Sequence, residues 1–341
     1  MASSKVVRTV CCFRATPAPS ALIQLHEVAA RLAAAGYRIQ TQRLCTTRPE
    51  LSRRHASMAE AELFWGVGAL DLDAARQQLH DADAPQNVSF HLDLTAARLG
   101  ASHVDFLFEI MRQAPAKTFN FAYVFNNRPS SPYFPSARYE RDGFSIGLQP
   151  TDLAEGCTTL DAWLHNLQRV WEEIDTLFRD DPEFLGIDAS VAPLFSGHSS
   201  LIHFIKRLGM SFAESCLTDV YLAITDYVNT HNPRPVGLCG LMFPCLEDFD
   251  LAAEYEAGRF SIERNLYLSL HCGLGIDTYP IGMDEHPQTV LHILRLLQRL
   301  SNRYDKTLSA RFVSDGQAKI GARTHFGNPY LKDVTIRPLT A

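Results

Sequence analysis

Apolar, strand-length runs alternate with helix-periodic segments along almost the whole chain, and this rhythm limits the possible folds more than any other feature of the sequence. Each apolar run needs a helix to cover it, which leads to a mainly parallel sheet or barrel with helices outside. The opening sets the pattern. Residues 5–13 read as a strand rich in Val and Cys, and Thr16-Pro17-Ala18-Pro19 breaks it. A helix then runs to about Ala35, Gly36 closes that helix, and 37–44 alternate as a second strand. Helical periodicity returns at 70–80, 160–177, 201–208, 217–228 and 289–303. Strand-like runs lie at 88–94, 118–125, 144–148, 184–187, 236–243, 275–281 and 307–313. No clean linker divides the 341 residues, so the expectation is one large α/β barrel over 1–341, with two intimately joined domains as the alternative. The least regular stretch is 126–142, crowded with Asn, Pro, Ser and aromatic residues. A loop of that length inside a compact fold is uncommon and often functional.

Charge and composition exclude several classes of partner. The formal charge is −6, with no run of five like charges and no long basic patch, so neither nucleic acid nor an anionic membrane is an expected partner. No stretch approaches 18 uncharged apolar residues, which argues against a membrane-spanning helix. The apolar run that follows Lys5 and Arg8 is too short for a secretion signal, so a cytoplasmic location is expected. The eight cysteines include no Cys-x-x-Cys pair, and the adjacent Cys11 and Cys12 point to opposite faces of a strand. Thiols held reduced are therefore expected. The zinc pair His-Glu-x-x-His is absent.

Three segments carry residues able to do chemistry. Phe184-Leu185-Gly186-Ile187-Asp188 is a strand ending in a carboxylate, at the strand end where α/β folds gather ligands. Asp188 could equally cap the next turn. Gly237-Leu238-Cys239-Gly240-Leu241-Met242-Phe243 is a glycine-punctuated strand leading through Pro244 to the acidic pair Glu247-Asp248, which either faces a ligand or complements the next helix N-terminus. It lacks the Lys-Ser/Thr end of a phosphate-binding loop. His271-Cys272-Gly273-Leu274-Gly275-Ile276-Asp277-Thr278 joins a thiol, a glycine-rich turn and an Asp-Thr pair. Backbone donors of the turn could lower the Cys272 pKa, whereas a buried small hydrophobe is the commoner use of such a cysteine. Gly273 and Gly275 lack the third glycine of a dinucleotide fingerprint.

At these segments the chain resembles the domain of unknown function 711 family, also called uncharacterised protein family 0210. The family's Gly-Leu-Asp-Thr-x-Pro is similar to Gly275-Ile276-Asp277-Thr278-Tyr279-Pro280, with its preceding cysteine at Cys272. Its Gly-hydrophobic-Asp-x-Ser-hydrophobic-Ala-Pro is matched at 186–193, and its Gly-Leu-x-Gly strand with an acidic pair at 237–248. Pro132-Tyr133-Phe134-Pro135-Ser136-Ala137 and the spacing of Lys306 to Arg311 extend the resemblance, which is thinner over the N-terminal third. It departs at Gly282-Met283-Asp284 and at Ser314, where the family commonly has a proline-led acidic motif and a proline. The resemblance implies a closed ten-stranded α/β barrel of the glycyl-radical-enzyme type that admits a loop into its interior. It does not imply radical chemistry, because Gly316, Gly321 and Gly327 lack the Arg-Val-x-Gly-aromatic context.

The expected function is a non-radical enzyme acting on a small polar metabolite in the barrel mouth. The alternative is a non-catalytic ligand-binding or regulatory barrel, and a homo-oligomer is compatible with either. Cys272, Asp277, Cys239 and Arg311 are the candidate catalytic residues. Asp188, Glu247, Asp248 and Asp277, if they converge, must be offset by a cation, by Arg311 or Lys306, or by proton uptake. Oxygen-ligated Mg²⁺ or Ca²⁺ is the first expectation, and pairing with Arg311 or helix capping is the second.

Overall fold

A computed structural model describes residues 5–16, 19–47, 63–81 and 87–340. Pro17 and Ala18 of the breaker read from the sequence lie outside the described residues. The strands are β1 (Lys5–Phe13), β2 (Tyr37–Cys45), β3 (Leu63–Ala69), β4 (Val88–Asp93), β5 (Phe121–Phe125), β6 (Gly143–Leu148), β7 (Phe184–Asp188), β8 (Gly275–Pro280) and β9 (Leu308–Val313). The helices are α1 (Pro19–Ala34), α2 (Leu72–His80), α3 (Ala101–Gln113), α4 (Leu160–Phe178), α5 (Leu201–Arg207), α6 (Phe212–Ser215), α7 (Val220–His231), α8 (Phe249–Glu256), α9 (Ile262–His271) and α10 (Pro287–Tyr304). No helix among the described residues is long and apolar enough to cross a membrane.

The strands form one nine-stranded mixed sheet in the order β7-β6-β1-β2-β3-β4-β5-β9-β8. β1 to β5 run parallel in chain order, and the antiparallel pairs β1/β6 and β5/β9 join them to the rest. Crossover helices dictate this arrangement, because parallel neighbours need a long connection and an amphipathic helix supplies it. In α4, Trp163, Leu167, Val170, Trp171, Ile174 and Phe178 repeat at helical spacing and are all buried. β5 and β6 are buried at every residue, as strands covered on both faces must be. Helices cover one face; the irregular segment after β5 covers part of the other.

That segment, 126–142, runs along the inner face of the sheet. Tyr133 donates through its hydroxyl to the Leu148 carbonyl at 2.9 Å, Arg43 of β2 donates to the Pro132 carbonyl at 3.3 Å, and His91 of β4 donates through Nδ1 to the Pro135 carbonyl at 2.8 Å. Asn127 holds the Ser136 carbonyl at 2.8 Å. A small cluster of Cys11, Phe13, Cys45, Ala137 and Leu185, packed by Phe134 and Tyr139, is separate from the main sheet-helix core. Gly147 makes room for the segment, since a Cβ there would sit 2.8 Å from the Tyr133 ring.

One expectation needs correction. The run 236–243 is not a ladder strand, so β7 and β8 end the sheet, which has nine strands among the described residues. Positive φ angles at Gly237 (68°) and Cys239 (43°), with prolines at 235 and 244, prevent a regular ladder. The segment is nonetheless tied to both ends through isolated parallel bridges. Leu241 bridges Val191 on one side and Gly273 on the other, Pro235 bridges Ile187, and Pro244 bridges Asp277. The sequence reading also missed β3, α3, α8 and α9. In β3 the two glycines of Leu63-Phe64-Trp65-Gly66-Val67-Gly68-Ala69 blur the strand signal.

The sheet is strongly curled. β1 and β9 stand five ladder steps apart in the strand order, about 24 Å in a flat sheet. Even so, Arg8 of β1 and Arg311 of β9 reach the same carboxylate, Glu247.

Candidate active site

The curl encloses a cavity of about 110 Å³, lined from β1 to β5, from β8 and β9, by residues 133–136 of the inner segment and by 238–247. Its charged groups are Arg8, Arg43, Arg311, Glu247 and Asp277, set among Phe64, Phe119, Phe134, Leu238, Met242 and Leu274.

Local irregularities in the strands aim two of these charges. Across the β8/β9 ladder, Ile276 faces Ala310 and Tyr279 faces Phe312, so Asp277 and Thr278 together oppose Arg311 in a bulge. Bulges re-aim side chains, and this one brings Asp277 Oδ1 to 2.7 Å from Arg311 Nε. Thr278 takes φ 39°, a rare conformation for a β-branched residue, and its hydroxyl is buried without a partner among the described residues. Strain of that kind concentrates at functional sites. A second bulge lies between Val7 and Thr9 of β1 and presents Arg8.

The acidic pair that follows Pro244 divides its work. The turn closed by Glu247 and Asp248 N–H groups on the Pro244 carbonyl points Glu247 into the cavity. There Glu247 Oε2 accepts from Arg311 Nη2, and Oε1 lies 3.5 Å from Arg8 Nη2. Burial pushes the Glu247 carboxyl up and Asp277 adds to the rise, while Arg311 and Arg8 oppose it. Burial alone would lower the Arg311 pKa, but Asp277 and Glu247 raise it above its ordinary value. Asp248 instead caps α8, accepting from Asp250 N at 3.1 Å and Leu251 N at 3.2 Å, and also takes Leu201 N of α5 at 3.1 Å. Burial pushes Asp248 up to about 7 against these hydrogen bonds.

Of the residues singled out from the sequence, the cavity brings together Glu247, Asp277 and Arg311. Asp188 lies elsewhere, fully buried and saturated: Ser131 Oγ (2.6 Å), Ser190 Oγ (2.5 Å) and the N–H groups of Ser190, Leu238 and Cys239 all donate to it. It pins the inner segment and the 237–239 turn to the end of β7. Cys239 is buried beside it, and burial together with the Asp188 charge pushes its thiol up to about 12. Cys272 caps α9, donates to the Leu268 carbonyl at 3.3 Å and does not line the cavity. Burial pushes that thiol up to about 12, opposite to the depression suggested by the glycine-rich turn. Lys306 also lies outside the lining and holds the Ser269 carbonyl at 2.9 Å. Among the described residues no group of three or more His, Cys, Asp or Glu is arranged to hold a metal, so the four carboxylates do not converge as the divalent-ion expectation required.

Arg8 and Arg43 were missed by the sequence reading. The available signal was a lone arginine inside an apolar strand, Val6-Val7-Arg8-Thr9-Val10, where a charge is costly unless something pairs with it.

A family model described as "Uncharacterised ACR (DUF711)" matches residues 91–327. The chain belongs to the DUF711 family. The match takes in the whole inner segment, Glu247, Asp277 and Arg311, and begins after Arg8 and Arg43. Similar curated proteins share the printed name UPF0210 protein. The one from Acetivibrio thermocellus is 25% identical over 146 residues, 41% of this chain and 32% of its own length. That from Syntrophotalea carbinolica is 24% identical over 157 residues, 44% of this chain and 34% of its own. That from Lacticaseibacillus casei is 22% identical over 191 residues, 54% of this chain and 41% of its own. The aligned stretch thus spans about a third to two fifths of these DUF711 relatives.

Proposed function

We propose that this DUF711 protein is an enzyme that carries out non-radical proton-transfer chemistry on a small polar metabolite inside the curled sheet. In this reading 1–341 forms one barrel domain, and 235–248 acts as its irregular tenth wall between β7 and β8. The observation that carries the proposal is the Glu247–Arg311–Asp277 group. It is a carboxyl pushed up by burial, facing an enclosed cavity, with an arginine shared between it and a second carboxylate. A carboxyl raised above its ordinary value by burial and facing a cavity is placed to exchange a proton with a bound molecule, as general acid–base catalysis requires. Asp277 and Arg311 set its position and charge, and the aromatic lining excludes water.

A second reading has its own support. Both cavity carboxylates are already engaged by Arg311, which suits a protein that binds a metabolite and does no chemistry.

A turnover screen of small polar metabolites with wild type and Glu247→Gln separates the two. The enzyme reading expects turnover that drops by about 100- to 10,000-fold in the variant, the usual size of a general acid–base contribution. Ligands that raise the melting temperature of the wild type without any turnover establish the binding reading in its place.

A further inference from the structure

We propose that the cavity binds a small organic monocarboxylate, anchored by Arg43 with Arg8 beside it; this rests on reading the cavity as a metabolite site and names the class of metabolite. The charge inventory is the first support. Arg8, Arg43 and Arg311 face Glu247 and Asp277, which leaves one positive charge over. Asp277 is bound to Arg311, and Glu247 is bound to Arg311 and loosely to Arg8. Arg43 has no carboxylate within ion-pair distance among the described residues. Enclosing a guanidinium without a counterion is costly, and a bound anion removes that cost.

Geometry is the second support. Arg43 Nε donates to Thr41 Oγ1 and Nη1 to the Pro132 carbonyl, both at 3.3 Å, while Nη2 makes no hydrogen bond among the described residues. The guanidinium lies 4.9 Å from the centroid of the Phe134 ring and 5.9 Å from that of Phe64, so the rings hold it in place. Burial first, and then the neighbouring Arg8 charge, lower the Arg43 pKa to about 10, which leaves it a full cation at neutral pH. An anion placed between the two guanidinium groups relieves their repulsion.

Charge and shape then choose the class. One surplus positive charge is matched by a monoanion, whereas a phosphate monoester dianion would leave the enclosed space negative. A carboxylate is planar and meets a guanidinium edge with two parallel hydrogen bonds. The lining of Phe64, Phe119, Phe134 and Leu238, and a volume of about 110 Å³, suit a short carbon chain behind that head group.

The test measures melting temperature and calorimetric affinity for wild type, Arg43→Gln, Arg43→Lys and the exposed control Arg128→Gln. The ligands are straight-chain monocarboxylates from acetate to hexanoate, their primary amides, methyl phosphate and methylammonium, all at constant ionic strength. A saturable rise with carboxylates and none with amides or methylammonium is expected. Affinity should fall by about 10- to 100-fold in Arg43→Gln, the scale of one lost charge-assisted contact. Arg43→Lys should lose less, and Arg128→Gln should match wild type. Equal response to carboxylate and amide, full retention of binding in Arg43→Gln, or a stronger response to methyl phosphate overturns the monocarboxylate assignment. If neutral metabolites bind and are turned over while carboxylates have no effect, only this inference fails. If no cavity ligand, neutral or charged, has any effect, the reading of the cavity as a metabolite site fails with it.

Discussion

Single buried side chains hold the inner segment against the sheet, and His91 is the most sensitive of them. Its Nδ1 must carry the proton it gives to the Pro135 carbonyl, and Nε2 then accepts from Asn127 at 3.5 Å, so the ring is bound in its neutral form. Burial lowers the pKa from 6.5 to about 4. A base with a depressed folded pKa contributes stability that is complete above its unfolded pKa and is lost as pH falls toward the folded value. The predicted loss between pH 6.5 and 4 is about 3 kcal/mol. Asp248 acts in the opposite direction. Its folded pKa is raised from 3.8 to about 7, so its contribution falls as pH climbs through that window. Unfolding of wild type and His91→Gln by urea at several pH values separates the two. The variant should be less stable above pH 6.5, and because its pH slope between 6.5 and 4 lacks the His91 component, the gap to wild type should narrow as pH falls. Parallel slopes for both proteins would show that His91 does not titrate as described.

At the scale of elements, close approach between the inner segment and the strands decides whether a cavity exists. Gly147→Ala places a methyl group 2.8 Å from the Tyr133 ring and 3.1 Å from Pro132 Cγ. Such overpacking costs about 1–3 kcal/mol, and the displaced segment should also weaken ligand binding. An unchanged denaturant midpoint in Gly147→Ala would mean that the segment does not lie against β6. The bridges of 235–248 can be checked in the same way by hydrogen exchange. Met242 N–H is bonded to the Val191 carbonyl and Leu274 N–H to that of Leu241, both near 3 Å, so these amides should exchange as slowly as those of β8. Exchange at the rate of an open loop would separate 235–248 from the wall.

Across the whole molecule, the α/β rhythm and most strands were legible because apolar runs and helical periodicity are local signals. The irregular course of 126–142 was legible too, from its length and composition. Less could be read where geometry depends on distant partners. The acidic pair 247–248 was legible as either a helix cap or a ligand-facing group, but it gave no sign that Asp248 would cap α8 while Glu247 turned into the cavity. Nor did the Asp277-Thr278 motif disclose a bulge opposite Arg311, since a bulge is a property of two paired strands. Arg8 and Arg43 become site residues only once the sheet curls. The central claim is that the curled sheet holds its ligand at Arg43, which has no carboxylate within ion-pair distance among the described residues. A crystal structure grown with butyrate tests it most directly. Carboxylate oxygens at about 2.7–3.2 Å from the Arg43 guanidinium, inside the cavity, are predicted. Butyrate bound elsewhere, with Arg43 paired to a carboxylate of the protein itself, would contradict it.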